Sequence, residues 1–427
     1  MALLGTDRRV LTLAFARMID AVGNSFLIVV LPQFLDEVVL DVPGGGGRLL
    51  GVAVAQSVLI GVALSLFGFL NSFGQPFAGR LSDRTGKRKA FILVGLALLG
   101  VASGAYVFAD SYAAVLGLRM LQGVGAALAI PATVALVNEL ATDATRGGNF
   151  GVFNTFRLIG FGFGPLVAGF LVELGPYATP AGTVSGFTAA FGVAALGAAT
   201  SFGLVAAFVS DPERTKARAG DELGVSVTDP EDRGLDPVFT LGLATLFMAI
   251  GIGLFATLEP QLSERLRQGS VLFGLEFAAV VIANVVFQVP VGRASDTYGR
   301  RPFLVAGFVL LVPSLLVQGF VTTPAGMVAA RFVQGVAVAM VFAPSLALAG
   351  DLAKEGESGT KLSILTMAFG LGTAIGPLSS GFLVTFGFVW PFAFGSALAA
   401  VGLVLVYTQV EETVPEAEEI AAPAPQD

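Results

Sequence analysis

Two residue types that carry much of enzyme chemistry are missing from this chain of 427 residues, which has no Cys and no His. Their absence excludes disulfides, thiolate nucleophiles, imidazole bases and the common zinc ligand sets. The chain also lacks a G-x-x-x-x-G-K-[ST] loop, because Gly86-Lys87 is followed by Arg88 and has no matching Gly upstream. We therefore expect no ATP hydrolysis, no cofactor, no metal and no enzyme activity.

Charged residues are also scarce. They make up only 13% of the chain, against 55% hydrophobic residues, whereas soluble domains average about 25% charged residues. So few charges cannot cover the two or three soluble domains typical of this length. Gly is abundant at 55 residues but lacks the period of collagen, and the apolar content excludes a disordered chain. The composition is that of a polytopic membrane protein.

The charges that are present are mostly acidic. The chain has 31 acidic residues against 24 basic ones, and the basic residues are 19 Arg and 5 Lys. An acidic surplus with little Lys predicts a protein bathed in concentrated salt, as in a halophilic archaeon. Solubility of the loops is the alternative reading.

Twelve apolar runs are long enough to cross a bilayer, which takes about 20 residues. The fold class predicted is an all-α membrane protein with twelve transmembrane helices in two six-helix bundles. The expected spans are 10–35, 50–78, 90–109, 112–138, 148–174, 185–209, 238–259, 271–292, 302–322, 325–350, 361–386 and 388–408.

The spans divide the chain into four parts. Residues 1–209 are predicted to form the N-terminal six-helix bundle and residues 238–410 the C-terminal one. Residues 210–237 are the one long hydrophilic stretch between them, a cytoplasmic linker. The acidic, Pro- and Ala-rich segment 411–427 is predicted to be a disordered cytoplasmic tail.

Lys and Arg are distributed unequally between the two sides of these spans. Seventeen lie on the side of the termini, three on the other side and four within the spans. Basic residues accumulate in cytoplasmic loops. We therefore expect both termini in the cytoplasm and a location in the plasma membrane.

The two halves of the chain repeat each other at offsets of 212 or 213 residues, which indicates a parallel duplication. The matching segments are 79–88 with 292–301, 119–123 with 331–335, and 160–165 with 372–377.

At these segments the chain resembles the major facilitator superfamily, over essentially its whole length. The family's loop motif G-x-L-[AS]-D-R-x-G-[RK]-[RK] is complete at 79–88, and its R-x-x-Q-G motif is intact at 119–123. The fifth-helix motif G-x-x-x-G-P-x-x-G-G is present at 160–169, with Ala168 where Gly is usual. Asp20-x-x-Gly23 is similar to the twelve-span drug:proton antiporter branch. The resemblance implies two bundles around a central cavity and transport by alternating access, by a chain that acts as a monomer.

Two of these motifs indicate conformational elements. The loop motif predicts a charge clamp that forms in one state and breaks in another; the alternative is a topology anchor that only obeys the positive-inside rule. The fifth-helix motif predicts close helix packing with a kink at its proline, and the resemblance associates it with exporters. The clamp candidates are Gly79, Asp83, Arg84, Gly86, Arg88 and Asp296, and those of the helix motif are Gly160, Gly164, Pro165 and Gly169.

Ionisable residues inside the spans are the candidates for coupling, because a charge at mid-bilayer costs at least a few kcal/mol. Asp20 lies about ten residues into the first span, or ~15 Å deep, and Arg17 shares its helix face. Proton coupling is assigned to Asp20, Arg119 and Glu276. Arg119 would either lower the pKa of a nearby acid or act as a hydrogen-bond post. Glu276 and Arg331 lie at similar depth, which permits an ion pair.

Further polar residues at membrane depth either line the cavity or join helices. These candidates for the cavity and the substrate are Arg17, Asn24, Asn71, Gln75, Gln122, Asn154, Arg157, Asn284, Gln288, Arg331 and Gln334.

The function predicted from these residues is proton-coupled antiport, exporting small amphipathic compounds without ATP. A metabolite or sugar uniporter or symporter is the alternative, and a transporter-like sensor is a further one. The expected partners are a small-molecule substrate, protons and the lipid bilayer, without nucleic acid.

Overall fold

The computed structural model describes residues 7–36, 46–49, 52–140, 146–180, 182–212, 227, 234–352 and 358–413. Most of the predicted linker, and the predicted disordered tail from residue 414 onward, lie outside these residues.

Twelve helical segments in the described part of the chain are long and apolar enough to cross a membrane, which confirms the all-α membrane fold class. The first six are built from α1 (Arg8–Ser25), α2 (Leu27–Phe34), α3 (Gln56–Thr85), α4 (Arg88–Ala105), α5 (Tyr112–Glu139), α6 (Arg146–Glu173) and α7 (Gly186–Phe208). The other six are built from α8 (Pro237–Gly253), α10 (Ser270–Tyr298), α11 (Arg300–Gln318), α12 (Pro324–Asp351), α13 (Ser358–Leu383) and α14 (Val389–Gln409), with the short α9 (Glu259–Leu266) between spans. Helices α1 and α2 together form the first span.

Two short antiparallel hairpins lie between helices of the first half. Strands β1 (Gly46–Leu49) and β2 (Val52–Ala55) pair before α3, and β3 (Tyr177–Thr179) and β4 (Gly182–Val184) pair between α6 and α7. Both connect spans at the end of the molecule remote from the termini, which is called the distal end below. The opposite end is the terminal end.

Side-chain caps fix where several helices begin. The carboxylates of Asp7 and Asp236 accept hydrogen bonds from the first turns of α1 and α8, and Ser111, Ser185 and Thr323 do the same for α5, α7 and α12. These acceptors satisfy backbone N–H groups that have no partner inside the helix. Burial raises the pKa of Asp7, but hydrogen bonds and charge from Arg9 outweigh it and hold that pKa below its ordinary value.

The apolar core is shared between the halves only toward the distal end. One buried cluster there joins Phe26 and Phe191 of the first half to Phe255 and Phe273 of the second. Two other clusters lie toward the terminal end, one within each half, around Leu13 and around Leu348. The described halves are therefore packed together distally and have separate cores near the termini.

Candidate functional sites

The fifth-helix motif brings α6 close to two other helices. A Cβ built at Gly164 would lie 2.6 Å from the carbonyl oxygen of Val22 in α1, and one at Gly160 would meet the carbonyl of Met18. At the distal end, a Cβ at Gly169 would lie 2.5 Å from the carbonyl oxygen of Ser270 in α10. Glycine is thus required for backbone contact both within the first bundle and between the bundles.

The second half repeats this packing. Gly372 and Gly376 of α13 approach the backbone of α8, and Gly381 approaches Ser57 of α3. The contact of Gly274 with the carbonyl of Pro165 is matched by the contact of Gly61 with the carbonyl of Pro377. Pro165 and Pro377 both lie inside their helices. The duplicated motif therefore forms two equivalent seams between the bundles.

We expect Gly164→Ala to lower the thermal stability of the protein, because the added methyl group collides with Ser25 Oγ and the Val22 carbonyl. Overpacking of this kind costs typically 1–3 kcal/mol. Gly203→Ala in α7 is the matched control, since a Cβ there meets nothing within 4 Å, and Ala is favoured over Gly in a helix by about 1 kcal/mol. Thermal unfolding of the two purified variants checks the prediction; equal melting temperatures would contradict it.

Polar contacts add to the closure of the distal end. Gln33 Nε2 of α2 donates to Glu259 Oε1 and to Ser270 Oγ, in both cases over 2.6 Å. Ser57 Oγ of α3 donates to the carbonyl of Gly381 over 2.7 Å. Glu173 of α6 accepts from the backbone N–H of Val271 over 3.0 Å. The bundles are thus locked together on the side remote from the termini.

The loop motif at the terminal end forms a buried charge cluster inside the first bundle. Arg88 is 2% exposed and pairs with Asp83, with Ser82 Oγ (2.6 Å) and with Glu139 at the end of α5 (3.0 Å). Gly86 ends α3 in the left-handed region with φ 67°, which favours glycine. The predicted clamp residues Asp83, Gly86 and Arg88 therefore lie together.

Other members of the predicted clamp are less constrained. Arg84 is exposed and makes no hydrogen bond or ion pair within the described ranges. A Cβ at Gly79 would have ordinary contact distance, 3.7 Å, to Pro131. Asp296 lies in the second bundle, where Arg300 joins it to Asp351. The contacts of Asp83, Arg88 and Glu139 are thus repeated by Asp296, Arg300 and Asp351, although the ungapped match of 79–88 with 292–301 pairs Arg88 with Arg301.

The R-x-x-Q-G motif joins helices inside the first bundle. The Arg119 guanidinium donates to the carbonyls of Ala63 (3.0 Å) and Leu64 (3.1 Å) in α3 and to Gln122 Oε1 (3.1 Å). Gln122 in turn bonds to Ser103 and Tyr106. No carboxylate contacts Arg119 in the described structure. Its geometry is that of the hydrogen-bond post, and the alternative expectation of an adjacent acid is not met.

The second bundle repeats this network in part. Arg331 Nη1 donates to Gln334 Oε1 over 2.7 Å, Gln318 takes the place of Tyr106, and Gln334 reaches the carbonyl of Gly251. Arg331 Nε donates to the backbone carbonyl of Glu276 over 3.3 Å, as Arg119 does to Ala63. The two side chains do not form the ion pair that their similar depth permitted, because the guanidinium is turned to the backbone.

Asp20 pairs with Arg17 on α1 and is 5% exposed. It faces the inside of the first bundle, where it lines a small cavity with Asn24, Ser103 and Gln122. Asn24 Oδ1 is buried there without a hydrogen-bond partner in the described residues. A second small cavity, lined mainly by apolar residues that include Leu96 and Val205, also reaches Asp20 and Arg17. Asp20 therefore lies between two interior spaces.

Arg157 lies on α6 at the level of Arg17, because Phe156 contacts Phe15 and Gly160 contacts Met18. Its guanidinium donates to Asn154 Oδ1 over 2.9 Å. It forms no ion pair within the described part of the chain. The first bundle therefore has two cations, Arg17 and Arg157, at one level, and Asp20 pairs with Arg17.

The remaining predicted polar residues lie on α3 and α10 at repeat-related positions. Gln75 donates to Asn71 over 3.1 Å. Asn284 and Gln288 are half-buried, and Asn284 Oδ1 has no hydrogen-bond partner among the described residues. The structure therefore does not join these residues to the Asp20 cluster by a hydrogen bond.

The duplication distinguishes charged residues that recur in both halves from charged residues that occur in only one half. Arg88 and Arg119 recur as Arg300 and Arg331 in equivalent contacts. The Gly160–Met18 and Gly372–Leu246 contacts relate α1 to α8 by 228 residues, so Asp20 corresponds to Met248 and Arg17 to Thr245. Arg157 corresponds to Phe369, and Glu276 to Ala63. Charges without a counterpart are not needed to hold the duplicated scaffold.

Sequence reasoning missed several partners of these sites. Tyr106 and Gln318 are separated by 212 residues, so the repeat offset was a usable signal for them. Gln33 and Gln268 have no counterpart in a motif, and nothing in the sequence distinguished them from other loop-end amides.

Two six-helix halves with equivalent internal networks and equivalent seams define a duplicated membrane transporter fold. The sequence profile of the Major Facilitator Superfamily matches residues 13–240 and 241–426. The chain belongs to this superfamily of membrane transporters.

Curated relatives of this chain are membrane transport and resistance proteins. An uncharacterized MFS-type transporter of Methanocaldococcus jannaschii is 29% identical over 42% of this chain and 46% of its own length. The human synaptic vesicular amine transporter is 27% identical over 78% of this chain and 63% of its own. The chain thus spans less than two thirds of these two relatives. The quinolone resistance protein NorA of Staphylococcus aureus is 23% identical over 94% of this chain and 97% of its own.

Solved transporter structures share the fold. The human organic anion transporter MFSD10 superposes with a TM-score of 0.67 at 19% identity, covering 93% of this chain and 99% of its own. A peptide transporter in complex with sulfate gives a TM-score of 0.74 at 15% identity, covering 95% of each chain. At these identities the likeness concerns the fold alone.

Proposed function

We propose that this transporter is a proton-coupled antiporter that exports small amphipathic compounds across the plasma membrane, with both termini in the cytoplasm. The observation that carries the proposal is Asp20: a buried carboxylate inside the membrane, paired with Arg17, next to interior cavities and without a counterpart in the second half. A charge at this depth is costly, and the duplicated scaffold does not require this one, so a functional role such as proton coupling is expected.

The relatives support export. One is named for quinolone resistance and another, from Bacillus subtilis, is multidrug resistance protein 2. One elementary charge moving through 100 mV supplies about 2.3 kcal/mol, so one or two protons suffice to concentrate a cargo. The acidic composition, net charge −7, supports operation in concentrated salt, and the duplicated single-chain architecture supports a monomer.

The proposed cycle uses the two seams between the bundles. In the structure they are closed at the distal end, which faces outward in the proposed orientation. Rocking one bundle against the other would part the seams there, after which Asp20 and the cavity residues could exchange protons and substrate with the other side.

A second candidate function is uptake of an anionic metabolite, by symport or uniport. It is favoured by an excess of cations at the level of Arg17, because Arg157 lacks a carboxylate partner in the described residues. Protonation of Asp20 would leave Arg17 without its counter-charge and strengthen anion binding, so an anion and a proton would move together. A cationic cargo would instead compete with the proton.

Flux measured in liposomes under an imposed pH gradient distinguishes these functions. We expect an amphipathic cation such as ethidium to accumulate on the more acidic side, driven by protons moving the other way. Movement of carboxyfluorescein, an anion, together with protons and without ethidium flux would instead support symport. Equal flux of either probe with and without the gradient would contradict antiport.

A further inference from the structure

Glu276 and Gln268 form a buried pair at the distal end of the second bundle. Glu276 is fully buried and Gln268 is 8% exposed. Gln268 Nε2 donates to Glu276 Oε2 over 3.0 Å. The other oxygen of each group, Glu276 Oε1 and Gln268 Oε1, is also buried and has no hydrogen-bond partner in the residues that the structure describes. Each of these two paired side chains thus has one acceptor oxygen without a hydrogen-bond donor.

An ionised Glu276 does not fit these surroundings. A buried carboxylate with one hydrogen bond is strongly disfavoured unless a cation is paired with it. The nearest cation, Arg331, lies over the ring of Phe255. It directs Nε to the backbone carbonyl of Glu276 and Nη1 to Gln334, while its Nη2 has no hydrogen-bond partner among the described residues. A negative charge on Glu276 would be expected to attract this free N–H into an ion pair, as Asp20 attracts Arg17.

One proton on Glu276 accounts for both unpartnered oxygens. A protonated carboxyl group has one donor and one acceptor, and so does each face of a primary amide. The two groups can therefore join through a pair of antiparallel hydrogen bonds. The first of these, from Gln268 to Glu276, is present; the second would run from Glu276 Oε1–H to Gln268 Oε1, the two atoms without partners.

We propose that Glu276 is a proton-binding site and that Gln268 positions its proton, so that Glu276 holds its proton in the structure closed at the distal end. The coupling role of this site rests on the proposed function, whereas the protonation itself does not. In the duplicated scaffold Ala63 occupies the equivalent position, so the carboxyl group serves no repeated structural contact.

The charged and polar groups on the elements packed around Glu276 bear on whether it can be ionised. Glu259 of α9 is a buried carboxylate, but it accepts from Gln33 (2.6 Å) and Ser263 (2.8 Å) and so has donors for an ionised form. Arg331 of α12 supplies the neighbouring cation. Glu173 of α6 is directed to the backbone of Val271.

Of the other elements packed on this part of α10, α11 contributes the uncharged Gln318, and α2 contributes Gln33. Glu259 is therefore the matched carboxylate for comparison.

Infrared spectroscopy of the purified full-length protein tests the site directly. The carbonyl stretch of a protonated carboxyl group is resolved from that of a carboxylate. We expect one such band near neutral pH that is lost in Glu276→Gln, kept in Glu259→Gln and shifted in Gln268→Leu, where the second hydrogen bond is missing. Absence of the band from the unmodified protein, or its persistence in Glu276→Gln, would overturn the proposal.

Flux measurements separate this proposal from the proposed function. Glu276→Gln keeps an amide that can pair with Gln268, so we expect a folded protein whose ethidium flux no longer responds to the pH gradient. If the band is found but the unmodified protein shows no gradient-driven flux, the antiport proposal fails and the proton site stands. If flux is gradient-driven and the band is missing, the proton site fails and antiport stands.

Discussion

Replacing Asp20 by Asn is expected to reduce pH-gradient-driven transport to the level of protein-free liposomes. Asn has nearly the same shape and still accepts a hydrogen bond from Arg17, but it cannot bind or release a proton. Movement of the cargo down its own concentration gradient should persist, because the seams and the R-x-x-Q networks do not involve Asp20. The measurement is ethidium flux with and without a pH gradient.

Two controls make this result specific to Asp20. Asp110→Asn makes the same chemical change at an exposed loop position and should leave gradient-driven flux unchanged. Asp20→Glu keeps a titratable group and should retain part of the flux. Gradient-driven flux that survives in Asp20→Asn would remove Asp20 from the coupling mechanism. A protein that binds ligand but shows no flux in any variant would instead be a transporter-like sensor.

The fold was predictable because it depends on the length of the apolar segments and on the internal repeat, and both can be identified in the sequence. About 20 apolar residues are needed for each span, and the described part of the chain has twelve such segments. The loops between them carry most of the charge. The duplication then relates each helix of one half to a helix of the other. Gly160 and Gly372 show how a repeat in the sequence becomes a repeat in packing, because each glycine lets its helix approach the backbone of the first helix of its own half, α1 or α8.

The candidate site was only partly predictable, since helical periodicity places a residue on a face but does not select its partner. Arg17 and Asp20 are three residues apart on one helix, and their pairing followed from that spacing. Glu276 and Arg331 lie on different helices, so only their depth could be estimated. Whether the guanidinium meets a carboxylate or a backbone carbonyl depends on ångström-scale differences in helix position, which the sequence does not contain.

The repeat also changes how the charges at membrane depth are interpreted. Arg119 was a candidate for proton coupling and Arg331 for substrate contact, because a guanidinium at membrane depth is costly unless it has a partner or a function. Both are instead engaged with backbone carbonyls and a Gln in equivalent geometry. Their duplication is explained by structure, which leaves Asp20, Arg17, Arg157 and Glu276 as the charges that structure does not explain.

Replacing Arg88 by Ala is expected to have the largest effect on stability of any single change in the loop motif. Arg88 is 2% exposed and supplies two hydrogen bonds, at 3.0 and 3.3 Å, to the 5% exposed carboxylate of Glu139. Its removal leaves that carboxylate buried without a cation, which typically costs 3–5 kcal/mol. Arg88→Lys should also be impaired, because an ammonium group cannot reproduce the fork that reaches Ser82, Asp83 and Glu139 together.

The duplication and the motif itself provide graded controls for Arg88→Ala. Arg300→Ala removes the equivalent residue of the second bundle, but its partners Asp296 and Asp351 are 59% and 39% exposed, so water replaces much of the contact and we expect a loss of about 1 kcal/mol or less. Arg84→Ala removes an exposed cation of the same motif that makes no hydrogen bond or ion pair in the described structure, and should change stability by less than about 0.5 kcal/mol. Thermal unfolding in one detergent should therefore rank the melting temperatures Arg84→Ala, Arg300→Ala, Arg88→Ala from highest to lowest. If Arg88→Ala melted with Arg84→Ala, the motif would act as a topology anchor, set by its positive charge, and the buried cluster would contribute little to the fold.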